Sequence, residues 1–188
     1  TGTNPGFLYQ QSTMRDAIVA GVTLNIFNKH CDRVKMACIA QIVNVLQAVV
    51  LTEGKKMLRT PTWQVFHMYK HHQGAELVES CLEGNGTTGT EEMQVTDVHE
   101  SVSVDKDGVV TVTLTNYSLQ ESRDMELLFE ERKPADVKGY IVHGAMNAYN
   151  TFDEPENVVE EEFAAFTVND RGLSFVIPPR SVMMFRIG

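Results

Sequence analysis

The apolar positions of the chain follow two different periods. Between Ser12 and Lys29, Ile18, Val22 and Ile26 recur at helical spacing, and Val19, Leu24 and Phe27 widen the stripe. Ser12 or Thr13 is placed to cap the free amides of the first turn, with Asp16 where a negative charge suits the helix dipole. The pattern lapses at Asn28, Lys29 and His30. Val34 to Ala40 is a short apolar run without alternation, which predicts a strand buried on both faces, as in a parallel sheet or barrel. Gln41 and Asn44 follow it, and polar residues just past such a strand stand where α/β barrels build their active sites. Val45 to Thr52 with the turn at Glu53-Gly54 predicts a connection containing a short hairpin. Thr60 and Pro61 start a second helix, because Thr caps the free amides and Pro at the first helical position forfeits no hydrogen bond; Gly74 ends it.

From Glu76 onward the period becomes two. Segments 76–82, 93–98, 101–104, 109–116, 125–129, 137–142, 163–168, 173–177 and 182–187 read as strands, with a flexible loop over Gly84 to Gly89. In Val109 to Asn116, Val110, Val112 and Leu114 point one way and three threonines the other. Asp105 to Gly108 and Asn169 to Gly172 are turn sequences, and Pro178-Pro179 bends the chain before the last strand. About eight to ten short strands separated by turns predict a β-sandwich of jelly-roll type. The break between the helical and the β part falls near Gly74 to Glu76.

Composition narrows the function classes. A formal charge of −9 with no basic stripe argues against a nucleic-acid partner. No apolar run approaches the roughly 20 residues that span a bilayer, so no membrane partner is expected. Cys31, Cys38 and Cys81 are an odd number without a CxxC; Cys38 lies within the apolar run and reads as a small core residue.

Long segments carry a family resemblance. GTNPGFLYQQ and STMRDA in the opening stretch, TLNIFNKHCDRVKMA, TPT followed by VFHMYK over Thr60 to Lys70, NAYNTFDEPENV over Asn147 to Val158, and IPPRSV over Ile177 to Val182 resemble the α-L-arabinofuranosidases of glycoside hydrolase family 51. The resemblance implies a mainly β chain: residues 1–75 supply the last helix, strand and helix of a (β/α)8 barrel, and 76–188 form the C-terminal jelly-roll sandwich. In that family both catalytic glutamates lie upstream of the segment resembling Gly2 to Leu8, so no catalytic residue is expected here and the chain alone is expected to be inactive. The implied parent releases terminal arabinofuranosyl groups from arabinan or arabinoxylan with retention, using no cofactor. Its partner is an arabinose-containing polysaccharide or oligosaccharide, and subunit assembly is common enough in the family to allow a homo-oligomer. The alternative is a sandwich without chemistry, used for carbohydrate binding or for assembly.

The barrel assignment raises a physical difficulty. A lone strand over Val34 to Ala40 needs two parallel neighbours, and without them its amides need other partners and its apolar sides lie open.

Gln41 is the leading site residue. A primary amide both donates to and accepts from a sugar hydroxyl, and in the family the matching Gln touches the arabinose; the plain alternative is a Gln that caps backbone groups at a strand end. Asn44 is the second substrate-binding candidate. His67 and His71 have the spacing of two zinc ligands, but no accompanying Glu and no third ligand are evident. With His72 they read as a solvated helix end, and no metal is expected. Glu53, Asp153, Glu154 and the run Glu160 to Glu162 lie in turns or charge clusters and read as solvated, not as a pair of glycosidase carboxyls about 5 Å apart. Asn147 to Val158, with aromatics Tyr149 and Phe152 that look buried, reads as a structural connection.

Overall fold

The computed structural model describes residues 12–39, 42–130 and 133–188. Helix α1 spans Met14–Lys29, and a hairpin of β1 (Val50–Glu53) and β2 (Lys56–Arg59) turns at Gly54. Helix α2 (Pro61–Tyr69) follows and ends in a short 3-10 turn over Lys70–His72. Eleven further strands come next: β3 (Glu76–Val78), β4 (Thr87–Gly89), β5 (Gln94–Thr96), β6 (Val98–Val104), β7 (Val110–Asn116), β8 (Arg123–Leu128), β9 (Val137–His143), β10 (Glu161–Phe163), β11 (Phe166–Val168), β12 (Gly172–Ile177) and β13 (Ser181–Ile187).

Two antiparallel sheets make the sandwich. The larger has the order β10-β9-β13-β7-β6-β3 and the smaller β11-β12-β8. Alternation along each central strand decides which layer a residue joins. Val110, Val112 and Leu114 of β7 lie opposite Ile187, Phe185 and Met183 of β13, and all six enter the core between the sheets with Leu173, Phe175 and Ile177 of β12. Phe185 is fully buried at its centre, in edge contact with Phe163 and Phe166. Gly139 makes room for it: a Cβ there would stand 2.4 Å from the Phe163 carbonyl oxygen and 3.0 Å from the Phe185 ring.

The other face of the large sheet is not solvated. Thr111, Thr113 and Thr115 are buried beneath α1 and α2, which form a third layer. Met14, Ala17 and Ile18 of α1 and Val65 and Met68 of α2 share a second core with Val142, Val182 and Met184 of the sheet. The buried face of α1 therefore runs through Met14, Ala17, Ile18, Gly21 and Asn25, and not through Ile18, Val22 and Ile26; Val19 and Ile26 are exposed. Close approach explains the choice. The Gly21 position lies so near Thr115 and Val182 that only a hydrogen fits, which lets the helix backbone settle on the sheet.

Several sequence expectations change. Residues 34–39 form no strand, and Met36 and Cys38 are exposed. Apolar content alone does not bury a segment: among the described residues no strand runs beside this one to pair with it. The single strand expected over 163–168 is two strands in different sheets. Phe163 pairs with Gly139 in the large sheet and Phe166 with Phe175 in the small one, so Ala164 and Ala165 carry the chain between layers. The first expected β segment shortens to Glu76–Val78, and part of the loop expected over 84–89 is strand, in the hairpin β4-β5.

Candidate functional site

Gln41 lies outside the described residues, so the site begins one residue later. Ile42 to Thr52 folds back on itself. The Val50 amide donates to the Ile42 carbonyl (3.1 Å) and the Asn44 amide to the Val50 carbonyl (3.2 Å), making a parallel bridge between Val43 and Val50. Asn44 adopts a left-handed backbone with φ 56° and turns its side chain inward on this loop. Its Nδ2 donates to Thr52 Oγ1 (2.8 Å), and its Oδ1 accepts from the Thr52 amide (2.7 Å). Asn44 closes the loop on itself with one donor and one acceptor of its exposed amide, which leaves a second N–H and a second lone pair open.

The loop is tied to the start of α1. Gln47 Nε2 donates to Asp16 Oδ1 (2.9 Å). Asp16 is the third helical residue, and its Oδ2 accepts from the Thr13 amide (2.8 Å) and the Thr13 hydroxyl (2.9 Å), an acidic version of the capping box. Burial works to raise the Asp16 carboxyl, but the hydrogen bonds from Gln47 and Thr13 and the nearby Arg15 outweigh it and hold it below the usual carboxylate range.

The first turn of α1 is in turn held by the sandwich. The Met14 amide donates to the Ala148 carbonyl (2.8 Å) and the Arg15 amide to the Met146 carbonyl (3.0 Å), which satisfies two helix-end donors that have no partner inside the helix. The same connection reaches the end of the β1-β2 hairpin that follows the loop. Buried Asn150 donates from Nδ2 to the Arg59 carbonyl (2.8 Å) and closes on Val158 through both its amide groups. Thr60 stands at the N-cap position of α2, but its hydroxyl makes no bond to the helix amides as the sequence suggested; it donates to the Ala48 carbonyl (2.9 Å) instead. The segment from Asn147 to Val158 is thus structural, as its sequence suggested, although Tyr149 and Phe152 are only half-buried.

The histidines are not a solvated helix end. His67 Nδ1 lies 2.6 Å from Glu160 Oε2, and its ring stacks on Trp63 with centroids 4.8 Å apart. His72 sits between Ser103 Oγ (2.7 Å) and Thr113 Oγ1 (3.0 Å) and bolts α2 to the large sheet. Burial, with the charges of His71 and Arg186 nearby, lowers the His72 imidazole to about 4. His71 falls to about 4 as well, chiefly by burial and then by Arg186, Lys70 and His67. Among the described residues no three His, Cys, Asp or Glu side chains come together as a metal site. Glu160 is a partly buried hydrogen-bond partner of His67 and not a solvated acid, whereas Glu53, Asp153, Glu154, Glu161 and Glu162 are exposed. Trp63 offers little as a sugar platform, because its ring is engaged by His67 and by the Arg59 guanidinium 4.4 Å from its centroid.

Sequence reading missed Gln47 and gave Asp16 only a dipole role. The spacing of Thr13 and Asp16 was the one available signal for the cap; nothing local marks Gln47. No described helix is long and apolar enough to cross a membrane.

Known proteins match this arrangement along almost the whole chain. Residues 1–181 match the family described as "Alpha-L-arabinofuranosidase C-terminal domain". An intracellular exo-alpha-L-arabinofuranosidase of Bacteroides ovatus is 36% identical over 187 residues, covering 99% of this chain and 36% of its own length. The crystal structure of the GH51 arabinofuranosidase from Xanthomonas axonopodis pv. citri superposes with a TM-score of 0.93 at 39% identity, over 100% of this chain and 38% of that one. A Thermotoga maritima α-L-arabinofuranosidase, solved as an arabinose complex, shares the fold at a TM-score of 0.83 and 20% identity, over 98% of this chain and 40% of its own. The chain thus spans well under half the length of these relatives. It carries the helical layer, the sandwich and the connection that joins them, and it belongs to the family of α-L-arabinofuranosidase C-terminal domains.

Proposed function

We propose that this chain is the C-terminal portion of a retaining α-L-arabinofuranosidase, with residues 1–75 completing a (β/α)8 barrel and 76–188 forming its jelly-roll sandwich. The parent removes terminal arabinofuranosyl groups from arabinan or arabinoxylan. One glutamate, in the part of the parent upstream, attacks the anomeric carbon while a second protonates the leaving oxygen and then activates water. Gln41 holds the sugar through its amide.

What supports this reading is the family match over residues 1–181 together with the close superposition on a GH51 arabinofuranosidase of which this chain covers 38%. Within residues 34–43 the apolar Met36, Ile42 and Val43 are exposed and no strand pairs with 34–39 among the described residues, as for a barrel segment without its neighbours. An assembly or sugar-binding module without chemistry has less support, since the only tryptophan is already engaged.

Hydrolysis of an aryl α-L-arabinofuranoside tests the proposal, with the 188-residue chain compared against the same chain extended upstream through a whole barrel. Turnover only by the extended chain is expected, with Gln41→Ala in it raising KM. Turnover by the short chain would sink the reading and direct attention to Asp153, Glu154 and Glu160 to Glu162. Retention of the short chain on arabinan or xylan in affinity electrophoresis would favour a binding module.

A further inference from the structure

We infer that the sandwich has a positioning role in the parent's reaction, exerted through Asp16 and Gln47. This rests on the function proposed above. The route runs through described residues as far as loop 42–52, and it reaches the sugar through Gln41, whose role is part of the function proposed above. The sandwich connection holds the first turn of α1 through the Ala148 and Met146 carbonyls. Asp16, 6% exposed in that turn, receives the Gln47 amide. Gln47 sits within the loop that starts directly after Gln41, and that loop is internally closed by Asn44 and Thr52. A closed loop moves as a unit, so fixing Gln47 fixes the whole segment.

Direction supports the inference. In a (β/α)8 barrel a helix N-terminus and the loop leaving the C-terminal end of a strand lie at the same, catalytic face. The N-terminal turn of α1 and loop 42–52 are the two elements that Asp16 joins. Gln47 itself has a left-handed backbone, φ 60°, a conformation disfavoured for a side chain of its kind, so the loop retains it against local preference. Because Asp16 stays ionised, its hydrogen bond with Gln47 is charge-assisted and well suited to hold a loop against thermal motion. Asp16 and Gln47 are positioning residues; neither is assigned contact with the sugar.

The extended enzyme provides the test, with Gln47→Ala, Gln47→Glu and, as a control in the same sandwich connection, Asn157→Ala, which loses only its bond to the Tyr149 carbonyl. Gln47→Ala should lower kcat/KM about tenfold, mainly through KM, at a thermal stability matching the control. Gln47→Glu sets a second carboxylate against Asp16 at neutral pH. Its activity relative to wild type should recover as the pH falls and the introduced carboxyl becomes a donor, a pH signature that a merely structural role would not produce. Hydrogen exchange of the Val50 amide, bonded to the Ile42 carbonyl, should quicken in Gln47→Ala of the 188-residue chain. Kinetics within twofold of wild type for both Gln47 variants would overturn the inference while leaving the parent reading intact. If the extended wild type is inactive on arabinofuranosides, the parent reading falls, and an unchanged Val50 exchange rate would show separately that the clasp does not hold the loop.

Discussion

Gly21→Ala places a methyl group where α1 meets the large sheet. In an isolated helix the change is favourable by about 1 kcal/mol, because Ala has less backbone freedom to lose. Here the new Cβ would stand 2.6 Å from Thr115 Oγ1 and 3.2 Å from Val182 Cγ2, and both neighbours are fully buried. Thr115 has no easy escape: it is fully buried and β-branched, so any turn of χ1 that clears the hydroxyl drives the hydroxyl or the methyl into other packed neighbours. Overpacking of this kind costs about 1–3 kcal/mol. Overpacking outweighs propensity, giving a net loss of about 1 kcal/mol, or roughly 2–4 °C in Tm for a domain of this size. Thermal unfolding followed by circular dichroism measures it, and a double-mutant cycle with Thr115→Ala isolates the cause. In the Thr115→Ala background the same Gly21→Ala change should be neutral or stabilising. A rise in Tm from Gly21→Ala in the wild-type background, or strict additivity in the cycle, would refute the packing argument.

Two further outcomes follow from the polar seam between the helices and the sheet. Asn25 is fully buried; its Oδ1 receives the Tyr69 (2.8 Å), Ser101 (2.9 Å) and Thr113 (2.8 Å) hydroxyls, and its Nδ2 donates to the His99 carbonyl (3.0 Å). Asn25→Ala strands that carbonyl and removes the shared acceptor, so a loss of about 2–4 kcal/mol in urea unfolding is expected, and a loss under 1 kcal/mol would mean that water replaces the amide. The seam also senses pH. The folded His72 imidazole, near 4, lies below the ordinary value of about 6.5, so the unfolded chain binds the extra proton between those values. Stability from this residue is complete above about pH 6.5 and falls as pH drops toward 4, by at most roughly 3 kcal/mol less whatever solvent screens. Urea midpoints at pH 7 and pH 5 check the sign, with His72→Gln reducing the difference and leaving the share that His71, also near 4, contributes; an undiminished difference in the variant would remove His72 as a source.

The β half was largely legible because alternation is a local property. Residues 109–116 announced both faces of β7, and the turns at Asp105–Gly108 and Asn169–Gly172 stand where expected, since Asp105 Oδ1 accepting from the Asp107 and Val109 amides (3.0 Å each) is short-range chemistry. The start of α1 at Ser12 or Thr13 and the start of α2 at Thr60-Pro61 were legible for the same reason, whereas the bonds from Thr13 to Asp16 were not read. Of the two candidate site residues, Gln41 lies outside the described residues; the bonds by which Asn44 closes its own loop reach Thr52, eight residues on, and were not legible in the sequence. Gln47 gave no sign, because its partner Asp16 is 31 residues earlier in the chain.

Periodicity, caps and turns thus came from neighbours within a few residues, whose geometry the backbone itself restricts. Burial did not, because it depends on what arrives from elsewhere. Ile26 has helical spacing yet faces outward, while Gly21 and Asn25 face inward because Thr113, Thr115 and Val182 come to meet them. Residues 34–39 have the composition of a core strand and remain largely exposed, because a strand exists only when a neighbour supplies its hydrogen bonds. The same amino acids are core or surface according to whether tertiary structure provides that partner.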